Sequence, residues 1–408
     1  MRQTITCLDD LQRLARRRVP RLFYDYVDSG SWTQATYREN SEDLARLHFR
    51  QRVGCNVEHI TTRTTILGQP VSLPLILAPT GLTGMVYPDG ELLAARAAAA
   101  AGVPYTLSTV SISSIEAVAA ECAKPFWFQL YMMKDRGFIA DLIARADAAG
   151  CSALVLTLDL PIQGQRHKDI RNGLSVPPAL TLRGMMSMLM HPRWCLGMLQ
   201  TPRRTFGNIV GHANGVTDTL GFAEWVSRQF DRSFCWEDIA WVKQRWRGKL
   251  VIKGIMDSAD AGQAFAAGAD AIVVSNHGGR QLDGAPSTIS VLPAITESVG
   301  GAGEIIMDSG IRSGQDIVRA LAMGADSVMI GRAFLYGLGA LGEAGVTLCL
   351  DLLRKEMEST MALCGVTRID ALSPQHIVDY PWPLTAGHAA ARRFQPPALQ
   401  PIAEAPHR

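Results

Sequence analysis

Eight short apolar runs, each ending in polar or glycine-bearing residues, limit the folds open to this chain. They are Leu73 to Ala78, Val103 to Leu107, Phe126 to Tyr131, Ala153 to Leu158, Leu250 to Lys253, Ala271 to Ser275, Glu304 to Asp308 and Ser327 to Ile330. Runs this short and this continuously apolar read as strands covered on both faces. Between most of them lies a helical stretch: Gly90 to Ala101, Ser114 to Ala123, Arg136 to Ala149, Ser258 to Ala267 or Gly314 to Ala322. The endings AAG at 148–150, AAG at 266–268 and AMG at 322–324 repeat a single β/α unit. Eight right-handed units close into a (β/α)8, or TIM, barrel, an α/β fold. A doubly wound open sheet is the structural alternative.

An N-terminal helical segment precedes the barrel, with a helix over Leu8 to Arg18 and a second short one around Phe23 to Val27. Residues 31–60 read as helical and then irregular. We expect one domain over 1–380, with 160–235 as a long insertion after the fourth strand and 381–408 as a proline- and alanine-rich tail. A formal net charge of +2, without long basic blocks, argues against a nucleic-acid partner. The cysteines stand singly, with no CxxC, so no metal site is expected and a reducing compartment fits. The first twenty residues are charged where an export signal would be apolar, and no uncharged apolar stretch is long enough to predict a spanning helix.

A barrel of this kind places its active site at the C-terminal ends of its strands. Those ends carry Pro79, Thr80 and Gly81; Ser108; Gln129 and Tyr131; Thr157 and Asp159; Lys253; Ser275, Asn276 and His277; Asp308 and Gly310; and Gly331. The sixth, AIVVSNHGGRQLDGA at 271–285, sets His277 three residues from Arg280, a proton acceptor beside a two-pronged donor for a carboxylate. The last two loops, DSGIRSG at 308–314 and IGRAF at 330–334, offer free backbone amides beside Arg312 and Arg332, the place where such barrels hold phosphate. A G-x-G-x-x-G run at Gly337, Gly339 and Gly342 lies inside a helical stretch, so we read it as helix packing and not as a dinucleotide site. A phosphate site without a dinucleotide motif points to a mononucleotide. Lys253 could then stabilise an anionic reduced flavin, or simply pair with a barrel carboxylate.

SNHGGRQLDG at 275–284 resembles the active-site signature of the FMN-dependent L-2-hydroxy-acid oxidising family. That family includes glycolate and lactate oxidases, flavocytochrome lactate dehydrogenase, and the membrane-associated bacterial L-lactate and (S)-mandelate dehydrogenases. The resemblance extends through YDYVDSG at 24–30, APTGLTGM at 78–85, LSTVS at 107–111, WFQLY at 127–131, DSGIR at 308–312 and GRAFLYG at 331–337. It implies FMN, surrounded by Thr80, Gly81, Ser108, Gln129, Thr157, Lys253, Ser275, Asp308, Gly310, Arg312, Gly331 and Arg332, with Pro79 beside them. It implies that Tyr26, Tyr131, Arg166, His277 and Arg280 face the substrate. His277 would be the base, oriented by Asp159; the arginines and Tyr26 would bind the carboxylate, and Tyr131 the hydroxyl. The family often reads R-x-R-D where this chain has GQRHKD at 164–169, so His167 and Lys168 are departures.

The expected reaction is oxidation of an L-2-hydroxy acid, L-lactate first, to the 2-oxo acid. (S)-Mandelate or a larger aryl acid, or an oxygen-using oxidase, are the alternatives. No haem domain is expected ahead of the barrel, which leaves a membrane quinone or another carrier as acceptor. Residues 182–204 of the insertion, LRGMMSMLMHPRWCLGMLQTPRR, combine Met, Leu and Trp with Arg183, Arg193, Arg203 and Arg204. That composition suits peripheral contact with the cytoplasmic face of an inner membrane. A methionine-rich helix docked on its own barrel is the other reading. A homotetramer is expected by the resemblance.

Overall fold

The structure, a computed structural model, describes residues 4–122, 124–174, 182–210, 225 and 228–378. The expected tail, and part of the insertion, lie outside these residues. An 8-stranded parallel sheet forms the centre. In chain order its strands are β1 (Leu75–Leu77), β2 (Thr106–Ser108), β3 (Trp127–Tyr131) and β4 (Ala153–Thr157). They are followed by β5 (Lys249–Ile255), β6 (Ala271–Val274), β7 (Glu304–Met307) and β8 (Ser327–Ile330). Neighbours in sequence pair in parallel from β2 to β8, and β8 pairs with β1, which makes a nearly closed (β/α)8 barrel.

At the β1–β2 seam the contact is a single bridge, Leu77 to Tyr105, with the Leu77 amide donating to the Pro104 carbonyl at 2.9 Å. Pro104 has no N–H to extend a ladder. For that reason β2 begins three residues later than the apolar run beginning at Val103 predicts.

Alternate strand residues point into the barrel and out towards the helices. Ile76, Trp127, Val155, Val251, Val273, Ile306 and Met329 fill the interior together with Ile66, Leu67 and Val71. Those last three belong to an antiparallel hairpin, Thr64–Ile66 and Gln69–Val71, for which no element is expected from the sequence. The Leu67 amide anchors it to both carboxylate oxygens of Glu304, at 2.8 and 2.9 Å.

The helix Leu8–Arg18 packs on Arg332–Leu341 through Gly339 of the G-x-G-x-x-G run, while Gly337 packs on Gly345 and Gly342 on Tyr87. A Cβ on Gly339 would lie 2.6 Å from the Val19 side chain. A third N-terminal helix, Ala35–Arg46, lies against the loops after β6 and β7. The insertion contributes His167–Arg171 and then two helices, Leu182–Leu189 and Pro192–Gln200. Among the described residues no helix is long and apolar enough to cross a membrane, and no His/Cys/Asp/Glu cluster could hold a metal. All eight cysteines are free.

Candidate active site

Strand β5 changes register between Lys253 and Ile255, where Gly254 takes φ 107°. A side chain there would be doubly excluded, because a Cβ would also lie 2.7 Å from the Cβ of Asp159. The bulge therefore brings Asp159 in behind the loop that follows β6. Its Oδ1 lies 2.9 Å from His277 Nδ1. Burial would raise the Asp159 carboxyl, but the charges of His277 and Lys253 and the hydrogen bond from the ring outweigh it and hold the group below its usual range. An ionised carboxylate can only accept, so Nδ1 carries a proton and Nε2 is the nitrogen left to exchange a proton with a ligand in the cavity.

His277 itself has a left-handed backbone, φ 58°, uncommon for a non-glycine residue. A buried network holds it there. Its amide donates to Ser275 Oγ at 3.1 Å, and that hydroxyl also accepts from Lys253 Nζ at 2.6 Å. Lys253 completes an ion pair with Asp308 at 2.8 Å, so the carboxylate pairing open to it in the sequence is present. The Asn276 and Asn40 side-chain amides bond reciprocally at 2.9 and 2.8 Å, and the Gly279 amide donates to Asn276 Oδ1 at 3.1 Å. Asp283 accepts from the Thr33 and Thr36 amides at 2.8 and 3.1 Å, which fastens the far end of the loop to the start of Ala35–Arg46.

Two guanidinium groups meet over one tyrosine ring: Arg280 at 4.8 Å and Arg166 at 5.8 Å from the Tyr26 centroid. Arg280 Nη1 donates to the carbonyls of Tyr26 and Ser29 at 2.6 and 3.0 Å, and Arg166 pairs with Asp169 at 3.3 Å. Burial and the charge of Arg166 push Arg280 down to about 10. The pair thus carries electrostatic strain that an anion would relieve. Tyr131 packs edge-on against Phe230 at 5.5 Å, and burial, reinforced by Asp159, pushes its phenol well up, so it remains a donor.

At the other end of the cavity, the two candidate phosphate arginines differ. Arg332 donates to the Val27 and Ser29 carbonyls at 2.9 and 2.7 Å and stacks 4.6 Å above Tyr37. Arg312 stacks 4.9 Å above Tyr336, and its buried Nη1 has no partner. Arg332 Nη1 has no hydrogen bond either, so each of the two arginines keeps a donor for an anion. Gly310, φ 86°, packs against the Asn40 carbonyl and leaves no room for a Cβ.

One cavity of about 480 Å³ joins these groups, lined by Tyr26, Pro79, Thr80, Gly81, Tyr131, Arg166, Lys253, His277, Arg280, Asp308, Gly310, Arg312, Gly331 and Arg332. Ser108, Gln129, Thr157, Asp159 and Ser275 are not in its lining; Ser108 donates to Gln129 Oε1 at 3.1 Å in the buried layer behind. Sequence reading missed Gly254, Asn40 and Asp283. Asp283 stands inside the 275–284 signature, but nothing local marks its bonds to Thr33 and Thr36.

Residues 15–379 match the FMN-dependent dehydrogenase family. The chain belongs to that family. An L-lactate dehydrogenase of Caulobacter vibrioides is 47% identical over 374 residues, covering 90% of this chain and 96% of its own length. One from Azorhizobium caulinodans is 45% identical over 379 residues, covering 92% and 99%. The crystal structure of the monotopic membrane protein (S)-mandelate dehydrogenase superposes with a TM-score of 0.87 at 36% identity, covering 92% of this chain and 99% of that one.

The cofactor of an FMN-dependent dehydrogenase needs an anion site for its phosphate and hydrogen-bonding groups for the polar edge of its ring. The cavity and the buried layer behind it fit both needs with atoms that lack partners. Arg312 Nη1 stands by the phosphate loops, and Gln129 Nε2 and Thr157 Oγ1 are buried near the ends of β3 and β4 without a hydrogen bond.

Proposed function

We propose that this FMN-dependent dehydrogenase oxidises L-2-hydroxy acids, with L-lactate as its preferred substrate, and passes the electrons to a lipid-soluble quinone at a membrane it binds without spanning. The observation that carries the reading is the convergence in one cavity of a carboxylate-backed histidine and two buried, mutually repelling guanidiniums. Arg280 and Arg166 neutralise the substrate carboxylate, with the Tyr26 hydroxyl beside them. Tyr131 donates to the substrate oxygen. His277 takes a proton at Nε2, and Asp159 stabilises the imidazolium that results. FMN, when bound, supplies the two-electron acceptor. Pro79, Thr80, Gly81, Ser108, Gln129, Thr157, Lys253, Ser275, Asp308, Gly310, Arg312 and Gly331 would hold it, while Arg332 orders the 27–29 carbonyls alongside.

L-lactate is preferred over (S)-mandelate because the two L-lactate dehydrogenases are 47% and 45% identical to this chain and the (S)-mandelate dehydrogenase 36%. Membrane binding is supported by the likeness to a monotopic protein and by the exposed apolar face of residues 182–200. We read 1–380 as one domain, with 160–235 inserted, because one continuous hydrophobic core runs from Leu8 to Ile377. The homotetramer rests on family resemblance, and sedimentation velocity measures it.

The test is anaerobic mixing of the flavin-loaded enzyme with L-lactate, glycolate and (S)-mandelate. Bleaching of the flavin, with the highest kcat/KM for L-lactate, is expected. Failure to bleach with any of the three overturns the reading, and a preference for (S)-mandelate moves the substrate to the aryl class.

A further inference from the structure

The helices Leu182–Leu189 and Pro192–Gln200 are apolar on two sides. Towards the barrel, the Trp194 ring stacks on Phe23 with centroids 5.3 Å apart, and its Nε1 donates to the Met85 carbonyl at 2.9 Å. Met188 packs inward beside it. Away from the barrel, Met186, Leu189, Met190 and Leu196 are 54%, 71%, 76% and 58% exposed. A helix that covers a core in water normally turns a polar face outward. These two helices therefore separate two apolar environments by one helix diameter, roughly 10 Å.

The inner environment is the catalytic cavity itself, because Met188, Trp194, Phe23 and Met85 line the same space as His277. That wall is uncharged, unlike the Arg166–Arg280 side. A small hydroxy-acid anion gains nothing from thioethers and an indole, whereas a flat neutral ring stacks on aromatic side chains and fits against adaptable methionines. Resting on the function proposed above, we propose that this wall is the acceptor site. There the ring of a quinone arriving from the lipid side docks between Met188 and Trp194 of the insertion, Phe23 of the N-terminal helical segment and Met85 of the loop after β1. The electron count closes. The hydroxy acid loses two electrons and two protons on becoming the oxo acid, and the quinone gains two of each on becoming the quinol. Because acid and quinone share one cavity, the oxo acid must leave before the quinone docks.

The test uses flavin-loaded enzyme and an azido-substituted short-chain benzoquinone as photolabel. Labelling of residues 184–203, or of the segments that carry Phe23 and Met85, suppressed by excess unlabelled quinone and by the 2-oxo acid, is expected; label confined to segments that contain none of these wall residues overturns the site. In parallel, stopped flow separates flavin reduction by L-lactate from reoxidation by the same short-chain quinone without its azide. Met188→Gln should slow reoxidation by roughly tenfold more than it slows reduction, the loss of one well-packed contact. Equal effects on both steps, or none on reoxidation, refute the assignment. Trp194→Phe keeps the ring and loses the bond to Met85, so it should label more weakly while still being reduced by L-lactate; undiminished labelling counts against Trp194. A wild-type enzyme that no 2-hydroxy acid reduces disproves the substrate reading alone, since photolabelling needs no turnover.

Discussion

The loop after β6 and the helical pair of the insertion cover the same cavity but are held in opposite ways. His277 is placed by buried polar contacts from segments far apart in sequence: Asp159, Lys253 through Ser275, and Asn40 through Asn276. The insertion is seated by an indole on a phenyl ring, with a few polar anchors such as the Arg21 amide on Ser187 Oγ at 2.9 Å and Arg203 on Asp89 at 2.9 Å. A buried network of directional hydrogen bonds specifies one geometry, and apolar contacts tolerate sliding. The difference teaches where chemistry resides and where access resides. Proton transfer requires a fixed base, while a roof that admits a lipid-borne ligand benefits from looseness.

The sharpest way to break the comparison is at its rigid end. His277→Ala should retain FMN and lose flavin reduction by about 10²–10⁴-fold, the range for a general base. Rapid mixing with L-lactate under anaerobic conditions measures it, and wild-type reduction rates would remove His277 from the chemistry.

Asp159→Asn follows, with a smaller rate loss and a distinct pH signature. The wild-type carboxyl is held below its usual range, so its contribution to stability is complete above the ordinary carboxylate value of about 3.9. That contribution is lost as pH falls through the lower folded value. The variant has no such group to protonate, and the acid limb of its Tm-against-pH curve should be flatter than wild type. Parallel acid limbs would show that Asp159 does not couple to folding.

Asn40→Ala tests whether the polar clamp positions the loop or only stabilises it. Asn276 keeps its bonds to Pro286 and Gly279, but the buried Thr288 amide loses its acceptor, which should cost about 1–3 kcal/mol. If the clamp positions His277, kcat falls by roughly tenfold with little change in KM. A lower Tm with unaltered kcat would make Asn40 structural.

The same contrast explains what could be read from the chain before folding. The barrel was legible because each β/α unit repeats a local pattern, and the reactive side chains because they sit where strands end. Asn40, Gly254 and Asp283 were not, since their partners lie in other segments and no local period records such contacts. The facing of the insertion was hidden for a related reason. Met188, Trp194 and Met198 belong by composition with the exposed methionines and leucines, yet they pack inward. Arg203 and Arg204, read as candidates for lipid headgroups, turn instead to Asp89 and to the carbonyls of Leu199 and Thr201.

That correction shapes the last and smallest effect on chemistry. With Arg203 committed to an ion pair and Arg204 to backbone carbonyls, two of the four candidate arginines are withdrawn from the headgroups, so membrane binding through residues 182–200 should depend more on apolar burial than on anionic lipid. Burying an exposed Leu or Met side chain is worth about 1.5–3 kcal/mol when complete. Changing Met186, Leu189, Met190 and Leu196 together to Ser removes most of that outer face without touching the cavity lining. The variant should move from the membrane to the soluble fraction on cell fractionation, and raised salt should leave the wild type bound. Flavin reduction by L-lactate should stay within about twofold of wild type, because the reacting groups lie on the other side of the helices. If both proteins fractionate as soluble, the outward face serves another contact, and the division between fixed chemistry and lipid-side access fails at its loose end. If the variant instead loses flavin reduction, the insertion is as tightly coupled to the base as the clamp, and the two regions are not held differently in any way that matters to catalysis.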